Sequence, residues 1–311
     1  MNDKTISEFG LVSVIMSTYK EPADYVFKAI KSIQNQSHKN LEIIIVIDDP
    51  TNEKLKKMII KLQEIDSRIK IIFNNKNIGL VQSLNKALSY CSGKLVARMD
   101  ADDISDSHRI EKQLLFLQEH KYDMVSSNFK MFFDESDDIR TWKFPEKYQQ
   151  CIKMLEYANC MPHPAWLVKK EVFKELNGYR DIFACEDYDF IIRAVLAGFK
   201  IGNCQEYLLK YRYNYNGISR SNTVKQQVIS RYLGQEYKRG KSVTVDAYNN
   251  FISSKEYLKK TEELKKLYKL KQEIKVNASK SNKLKNCFKL AFNKSFWKEE
   301  YLNYQIKKLR N

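Results

Sequence analysis

The sequence predicts an α/β fold: a doubly wound, mostly parallel sheet followed by a basic helical extension. Three observations carry this expectation. Strand-like and helix-like stretches alternate β-α-β-α-β-α-β within the first hundred residues, the order produced by crossover connections between parallel strands. The strand candidates are almost wholly apolar, as strands covered on both faces are. The second and fourth of them run directly into carboxylates, at the edge where open α/β sheets hold ligands.

Residues 11–16 (LVSVIM) are apolar and β-branched and form the first expected strand, broken by Ser17-Thr18-Tyr19-Lys20-Glu21-Pro22. Pro22 suits a helix entry, and Val26, Ala29, Ile30 and Ile33 follow at helical spacing up to Asn35-Gln36-Ser37. Residues 41–47 (LEIIIVI) give a second strand that ends in Asp48-Asp49-Pro50. Leu55, Met58, Ile59 and Leu62 mark a second helix, 69–73 a third strand, 74–79 a turn and 80–91 a third helix. The central strand spans 94–99. Beyond it a helix is expected over 109–119, a strand over 123–133 and a loop-rich excursion over 134–160. Pro162-His163-Pro164 forms a stiff turn ahead of 165–168, and a short helix over 171–176 closes at Asn177-Gly178, a pair suited to a C-cap. The acidic run 185–190 leads into a helix over 191–196, and 207–213 form a last strand. From about Gln226 the chain turns helical and basic, which divides it into a sheet domain, 1–225, and a C-terminal region, 226–311.

At 311 residues, 43% hydrophobic and 12% aromatic, the chain can bury a sizeable core. No apolar run is long enough to span a membrane, and the N-terminus lacks a basic stretch followed by an apolar one, so a cytoplasmic location is expected. The six cysteines are scattered with no C-x-x-C pair, as befits reduced thiols rather than a disulfide framework or a zinc site. Of the net charge of +16, residues 255–311 supply +11. Within that tail Leu284, Cys287, Phe288, Ala291 and Phe292 recur at helical spacing between lysines, with Phe296 and Trp297 following. A basic amphipathic helix of this kind suits an anionic membrane surface; the alternative is a helix packed on the sheet domain with its lysines in solvent. No recognition motif accompanies the charge, so no nucleic-acid partner is expected.

The stretch 93–106, GKLVARMDADDISD, organises the rest. A short buried strand ends there in Asp100, Asp102 and Asp103, and carboxylates so closely spaced repel one another unless a cation lies between them. Hard oxygen ligands at this density suit Mg²⁺ or Mn²⁺, ions that also take substrate phosphates as ligands. The competing reading is a solvated acidic turn with Ser105 or Asp106 capping the next helix.

Together these residues resemble the family 2 glycosyltransferases with the GT-A fold, over roughly 11–222. The resemblance is carried by Val12-Ser13-Val14-Ile15-Met16-Ser17-Thr18-Tyr19, Gln36, Leu41-Glu42-Ile43-Ile44 with Asp48-Asp49, and Asn77-Ile78-Gly79-Leu80 with Asn85 and Ala87. It continues through Ala97-Arg98-Met99-Asp100-Ala101-Asp102-Asp103, His163-Pro164, Glu186-Asp187 and Arg193. It implies an inverting transfer of sugar from a nucleotide diphosphate to an acceptor hydroxyl, on a Rossmann-like sheet. Ser17, Tyr19 and Glu21 then fall in the loop where base and ribose lie. Asp48, or alternatively Asp49, matches the acidic residue that reads uracil, although Asp-Pro-Thr stands where the family has Asp-Gly-Ser. Asn77 and Gly79 would let the backbone approach the nucleotide. Asp100 and Asp102 match the D-x-D motif that binds ribose and metal, with Asp103 as a further metal ligand.

By the same resemblance Asp187 is the catalytic base, accepting the proton of the attacking hydroxyl, with Glu186 and Asp189 available to raise its pKa. The other reading of Glu186-Asp187 is N-terminal capping of a helix, and the two roles are compatible. His163 is expected near the diphosphate or the acceptor, or else as a buried structural residue; Arg193 as a partner of a site acid or as a helix anchor. Arg212, Ser219 and Arg220 lie in a stretch suited to folding over the diphosphate. Tyr211, Tyr213 and Tyr215 alternate as packing residues do, and Arg98 reads as an internal counter-ion. The resulting expectation is a Mn²⁺- or Mg²⁺-dependent enzyme using a UDP-sugar donor and a saccharide or lipid-linked acceptor in bacterial surface polysaccharide synthesis, peripheral to the inner face of the membrane. A nucleotidyltransferase would carry a Gly-rich basic loop after the first strand, which Ser17–Pro22 is not. A non-enzymatic basic scaffold is the remaining alternative, and it predicts no metal-dependent nucleotide binding.

Overall fold

The computed structural model describes residues 9–214, 222–276, 286–287 and 289–310. Four parallel strands open the chain: β1 (Val12–Thr18), β2 (Leu41–Ile47), β3 (Ile69–Phe73) and β4 (Leu95–Arg98). They alternate with α1 (Ala23–Gln34), α2 (Glu53–Ile65) and α3 (Leu80–Ser89). Every residue of β2 is buried, and the reason is a two-sided cover. Val14, Met16, Ile43, Ile45 and Ile47 pack with Val26, Ile30 and Ile33 of α1 and Leu55 and Ile59 of α2. Ile15, Ile44 and Val46 point the other way, to Leu84 and Ala87 of α3. Successive side chains of a strand take opposite faces, so both parities must be apolar here.

The rest of the sheet is mixed. The later strands are β5 (Ile104–Ser105), β6 (Met124–Phe133), β7 (Ser136–Trp142), β8 (Leu167–Lys169) and β9 (Ile201–Arg212). Strand order is β3-β2-β1-β4-β8-β6-β9-β5, with β7 paired to β6. β8 enters antiparallel to both β4 and β6, while β6 and β9 pair in parallel. Between them run α4 (Arg109–Glu119), α5 (Tyr148–Met154), a single 3₁₀ turn at His163–Ala165, α6 (Lys170–Glu175) and α7 (Glu186–Leu196).

Three expectations need correction here. The stretch 134–160 is not loop-rich throughout, because β7 completes a hairpin with β6 and α5 follows. The last strand begins at Ile201 rather than 207, and α7 begins at Glu186, so the acidic run is its first turn.

Beyond the sheet lie α8 (Thr223–Lys238), α9 (Val245–Ile252), α10 (Lys255–Val276) and α11 (Lys294–Arg310). The core runs straight across residue 225: Ile229, Leu233, Val243 and Tyr248 belong to the same buried cluster as Trp166, Tyr179 and Tyr188. Gly234 allows this contact, since a Cβ there would stand 2.8 Å from Tyr188 Oη and 2.9 Å from the Glu156 carbonyl oxygen. Helix α11 folds back on the sheet domain. Ile306 and Leu309 pack against the main core, and the Arg310 guanidinium lies over the rings of Trp142 and Phe144 at 4.9 and 5.4 Å. Leu284 and Phe288 of the expected amphipathic helix lie outside the described residues. No helix among the described residues is long and apolar enough to cross a membrane.

Candidate active site

The strand order reverses at β1, whose neighbours are β2 on one side and β4 on the other. The carboxyl ends of β1, β2 and β4 lie side by side there, at the edge where open α/β sheets hold ligands. In the loop after β1, Thr18 Oγ1 and the Tyr19 N–H both donate to Glu21 Oε2 at 2.7 Å. Glu21 is thereby held where its charge acts on Asp102. Ser17 is half-buried at the strand end and Tyr19 is exposed.

After β2, Asp48 is buried, and its carboxylate accepts from Asn74 Nδ2 (2.8 Å), the Ile78 N–H (2.9 Å) and the Gly79 N–H (2.9 Å). The Gly79 N–H is shared with Asn77 Oδ1 at 3.0 Å, and Gly79 has φ +85°, in the left-handed region. Asp48 thus ties the 74–79 turn to the end of β2. Asp49 stands at the surface, where Thr51 donates to it from N and Oγ1 at 2.9 and 2.7 Å and holds it below the usual carboxylate range.

At the end of β4, Asp100, Asp102 and Asp103 each bring a carboxylate oxygen within 4.8 Å of the others. Burial, and then the charges of Asp100 and Glu21, push Asp102 up to about 7; burial, Asp100 and Asp102 push Asp103 well up. Asp103 Oδ1 accepts the Arg212 N–H at 2.8 Å, while its buried Oδ2 has no partner among the described residues. Crowded hard oxygens with an unpaired buried lone pair fit a divalent cation such as Mg²⁺ or Mn²⁺.

Arg98 lies beneath the cluster. It is buried and ion-paired to Asp100, and it is the counter-ion the sequence suggested. Arg109, fully buried behind it, donates from Nη1 to the carbonyl oxygens of Arg98 (3.1 Å) and Pro164 (3.0 Å).

The second acidic group opens α7. Asp187 Oδ1 accepts from the Tyr188 N–H and Oδ2 from Asn159 Nδ2, both at 2.7 Å. Asn159 is itself fixed, its Oδ1 accepting the Met161 N–H at 2.9 Å. Burial raises Asp187 to about 6, against the pull of the Tyr188 N–H and Arg98. Glu186 is pushed further, to about 8, by burial and then by the charge of Asp187. Both carboxyls are thus raised by burial, and Asp187 is the one whose ionised form the Tyr188 N–H and Asn159 support. The expected repulsion from Asp189 is not the cause. Asp189 is turned inward and neutralised by Arg180 and by Arg193, whose Nε lies 2.8 Å away. Arg193 also donates to the carbonyl oxygens of Leu176 and Gly178, which makes it an anchor of the turn after α6.

The remaining expected residues are placed as follows. His163 is buried, its Nε2 2.9 Å from Tyr179 Oη and its ring against Trp166; burial and Arg98 hold it well below the usual histidine range. Arg212 is buried under the acid cluster. It donates from Nε to the Asp102 carbonyl oxygen at 2.8 Å, pairs with Asp134, and lies over the Tyr25 ring at 3.8 Å. Its guanidinium is therefore spent on positioning the acid loop. Tyr211 packs on Phe129 and Tyr213 on Phe133; Tyr215, Ser219 and Arg220 lie outside the described residues. Sequence reading missed Asn159 and the Asp134–Tyr25 clamp on Arg212, all in stretches without a motif.

A sheet covered on both faces, an acid cluster at its switch point and a separate carboxylate at a helix start define a glycosyltransferase of the GT-A type. Residues 13–176 match the family described as Glycosyl transferase family 2, and the chain belongs to that family. It is 35% identical over 233 residues to an uncharacterized glycosyltransferase of Methanocaldococcus jannaschii, covering 74% of this chain and 80% of that one. It is 30% identical over 246 residues to the O-antigen biosynthesis glycosyltransferase WbnJ of Escherichia coli, covering 78% and 93%. Among solved structures, S. aureus TarS 1–349 in complex with UDP-GlcNAc aligns with TM-score 0.56 at 16% identity, over 78% of this chain and 72% of that one. The mannosyltransferase PcManGT from Pyrobaculum calidifontis, in complex with GDP-Man and Mn²⁺, aligns with TM-score 0.61 at 14% identity, over 96% and 85%. At such identities the structural likeness speaks for the fold.

Proposed function

We propose that the protein is a metal-dependent, inverting hexosyltransferase. It moves a hexose or N-acetylhexosamine from a UDP-sugar to a saccharide or lipid-linked saccharide acceptor in the assembly of a bacterial surface polysaccharide. The observation that carries the reading is the cluster of three carboxylates at the end of β4, with buried Arg98 paired to Asp100 and its charge acting on Asp187 as well. Donor and acceptor chemistry then meet across one guanidinium.

Asp100, Asp102 and Asp103 would hold Mg²⁺ or Mn²⁺, which offsets the charge that builds on a leaving diphosphate. The loops at Ser17–Glu21, Asp48–Asp49 and Asn77–Gly79 receive the nucleoside. Because Asp48 is engaged with the turn, Asp49 is the better placed of the two to meet the base. Asp187, whose ionised form is supported by the Tyr188 N–H and Asn159, accepts the acceptor hydroxyl's proton as that oxygen attacks the anomeric carbon. The Tyr188 N–H and Asn159 amide fix its two oxygens, which aligns the base before substrate arrives. The names of relatives such as WbnJ and the amylovoran biosynthesis glycosyltransferase AmsE of Erwinia amylovora support a polymer-building role.

Association with an anionic membrane face is part of the same proposal. Residues 255–311 carry +11, and α11 leaves Trp297, Tyr301 and Tyr304 exposed at helical spacing. Increased Trp emission and co-sedimentation with phosphatidylglycerol vesicles, absent with phosphatidylcholine, are the expected results.

The deciding experiment is hydrolysis of a panel of nucleotide sugars with Mn²⁺, Mg²⁺ or EDTA, comparing the native protein with Asp102→Asn. Metal-dependent release of UDP from one donor, lost in the variant, is expected. Release of GDP instead would reassign the base, and a protein that binds no nucleotide would sink the enzyme reading.

A further inference from the structure

A cavity of about 200 Å³ opens beside Asp187, walled by Asn159, Cys185 and Tyr188 on one side and by Gln226, Gln227 and Ser230 of α8 on the other. None of Asp100, Asp102, Asp103, Arg98 or Glu186 lines it. The cavity and the acid cluster therefore approach the catalytic centre separately, and the cavity touches it at the base alone. Resting on the function proposed above, we propose that this cavity is the subsite for the terminal sugar of the acceptor, and that it selects an uncharged hexose or N-acetylhexosamine.

The chemistry of the wall supports this choice. Asp187 supplies its single charge among the described residues, and no Lys, Arg or His contributes. A uronate or phosphate on the acceptor would meet a carboxylate with no cation in the wall beside it, which is unfavourable in a partly desolvated site. A neutral sugar meets amides and a hydroxyl, groups that both donate and accept. Gln227 lines the cavity, and its Oε1 is buried without a hydrogen-bond partner among the described residues, so a turn of the side chain towards a sugar O–H breaks no bond of that oxygen. Gln226 donates from Nε2 to the Ala184 carbonyl oxygen at 2.8 Å, which fixes its amide at the rim.

Helix α8 is held firmly enough to serve as a wall. Cys185 Sγ donates to the Gln226 carbonyl oxygen at 3.5 Å, and Gly234 brings the helix against Tyr188 and Glu156. Helix α8 thus enters the site: it completes the cavity that the sheet domain leaves open at Asp187.

Saturation-transfer NMR on the full chain with UDP present tests the proposal, using methyl glycosides of glucose, N-acetylglucosamine and glucuronic acid. Saturation of a neutral glycoside and none of the glucuronide is expected. Gln227→Ala should weaken the neutral glycoside about tenfold, as loss of a buried hydrogen bond does, and Ser230→Trp should abolish its signal. Gln227→Lys should bring glucuronide binding in, a gain that a merely structural role would not give. UDP titration of each variant reports on the donor side separately. Glucuronide binding to the native protein as tight as the neutral glycosides, or neutral binding that survives Ser230→Trp, overturns the proposal. So does a protein that binds UDP but no glycoside, and that result leaves the glycosyltransferase reading standing. A protein that binds no nucleotide overturns that reading and this one with it.

Discussion

Asn159 donates a 2.7 Å hydrogen bond from Nδ2 to Oδ2 of Asp187, so a residue outside any acidic motif aims the carboxylate of α7. The bond favours the ionised form and opposes the burial that raises Asp187 to about 6. Asn159→Ala removes this support. The acid limb of the kcat profile should then move to higher pH by about one unit, and kcat at its plateau should fall about tenfold from loss of alignment. Donor KM should stay constant. A pH–rate series with the donor fixed by the nucleotide-sugar panel measures all three.

Glu186 and stability give a second prediction. Its folded pKa, about 8, lies above its ordinary 4.5, so the native state binds the proton more tightly than the unfolded chain. That stabilisation is complete below the ordinary value and is lost as pH rises through about 8. Glu186→Gln cannot ionise. Its melting temperature relative to native should match at pH 4.5 and rise with pH up to about 8.5, by roughly 2 °C or more. A thermal-unfolding series at fixed ionic strength reads the slope, and a constant offset across the range would contradict it.

Gly79 supplies a third. Its φ of +85° belongs to the left-handed side, and nothing stands within 4 Å of where a Cβ would go, so backbone conformation alone demands glycine. Gly79→Ala should cost about 1–3 kcal/mol and loosen the N–H that Asp48 and Asn77 share. UDP affinity should fall with the melting temperature. Gly240→Ala, likewise at positive φ but far along α8's end, should lower stability with UDP binding unchanged.

What the sequence revealed and hid follows from burial. Strands β1, β2 and β4 were legible because two-sided cover forces nearly unbroken apolar runs such as residues 41–47, where Glu42 is the one polar residue. β7 escaped notice because its residues, SDDIRTW, are exposed but for Trp142, and pairing with β6 holds it rather than a buried face. The start of β9 hid behind polar residues: Asn203 is fully buried, its Nδ2 donating to the carbonyl oxygens of Pro145 and Cys160. At the site, clustered carboxylates announced themselves by spacing. Asn159, Gln226 and Gln227 did not, because an amide's role depends on which loop or helix the tertiary fold brings to it. Arg212 and His163 carried plausible charge chemistry in sequence, and burial spent it on Asp134 and Tyr179.

The last prediction concerns Arg98, paired with Asp100 and buried with Nε and Nη1 unpartnered among the described residues. Its charge lowers the pKa of Asp102 and of Asp187 together. Arg98→Met strips that charge and leaves buried carboxylates facing one another. Breaking such a pair costs about 3–5 kcal/mol, whereas replacing both partners is far cheaper. The single variant should therefore melt well below native, and Arg98→Met with Asp100→Asn should recover a large part of the loss. Transfer should not recover with it, because the double variant lacks both a carboxylate of the acid cluster and the cation that keeps Asp187 ionised. A double-mutant cycle in melting temperature, run beside a transfer assay, separates the two effects. If activity returned along with stability, Arg98 would be a packing residue only.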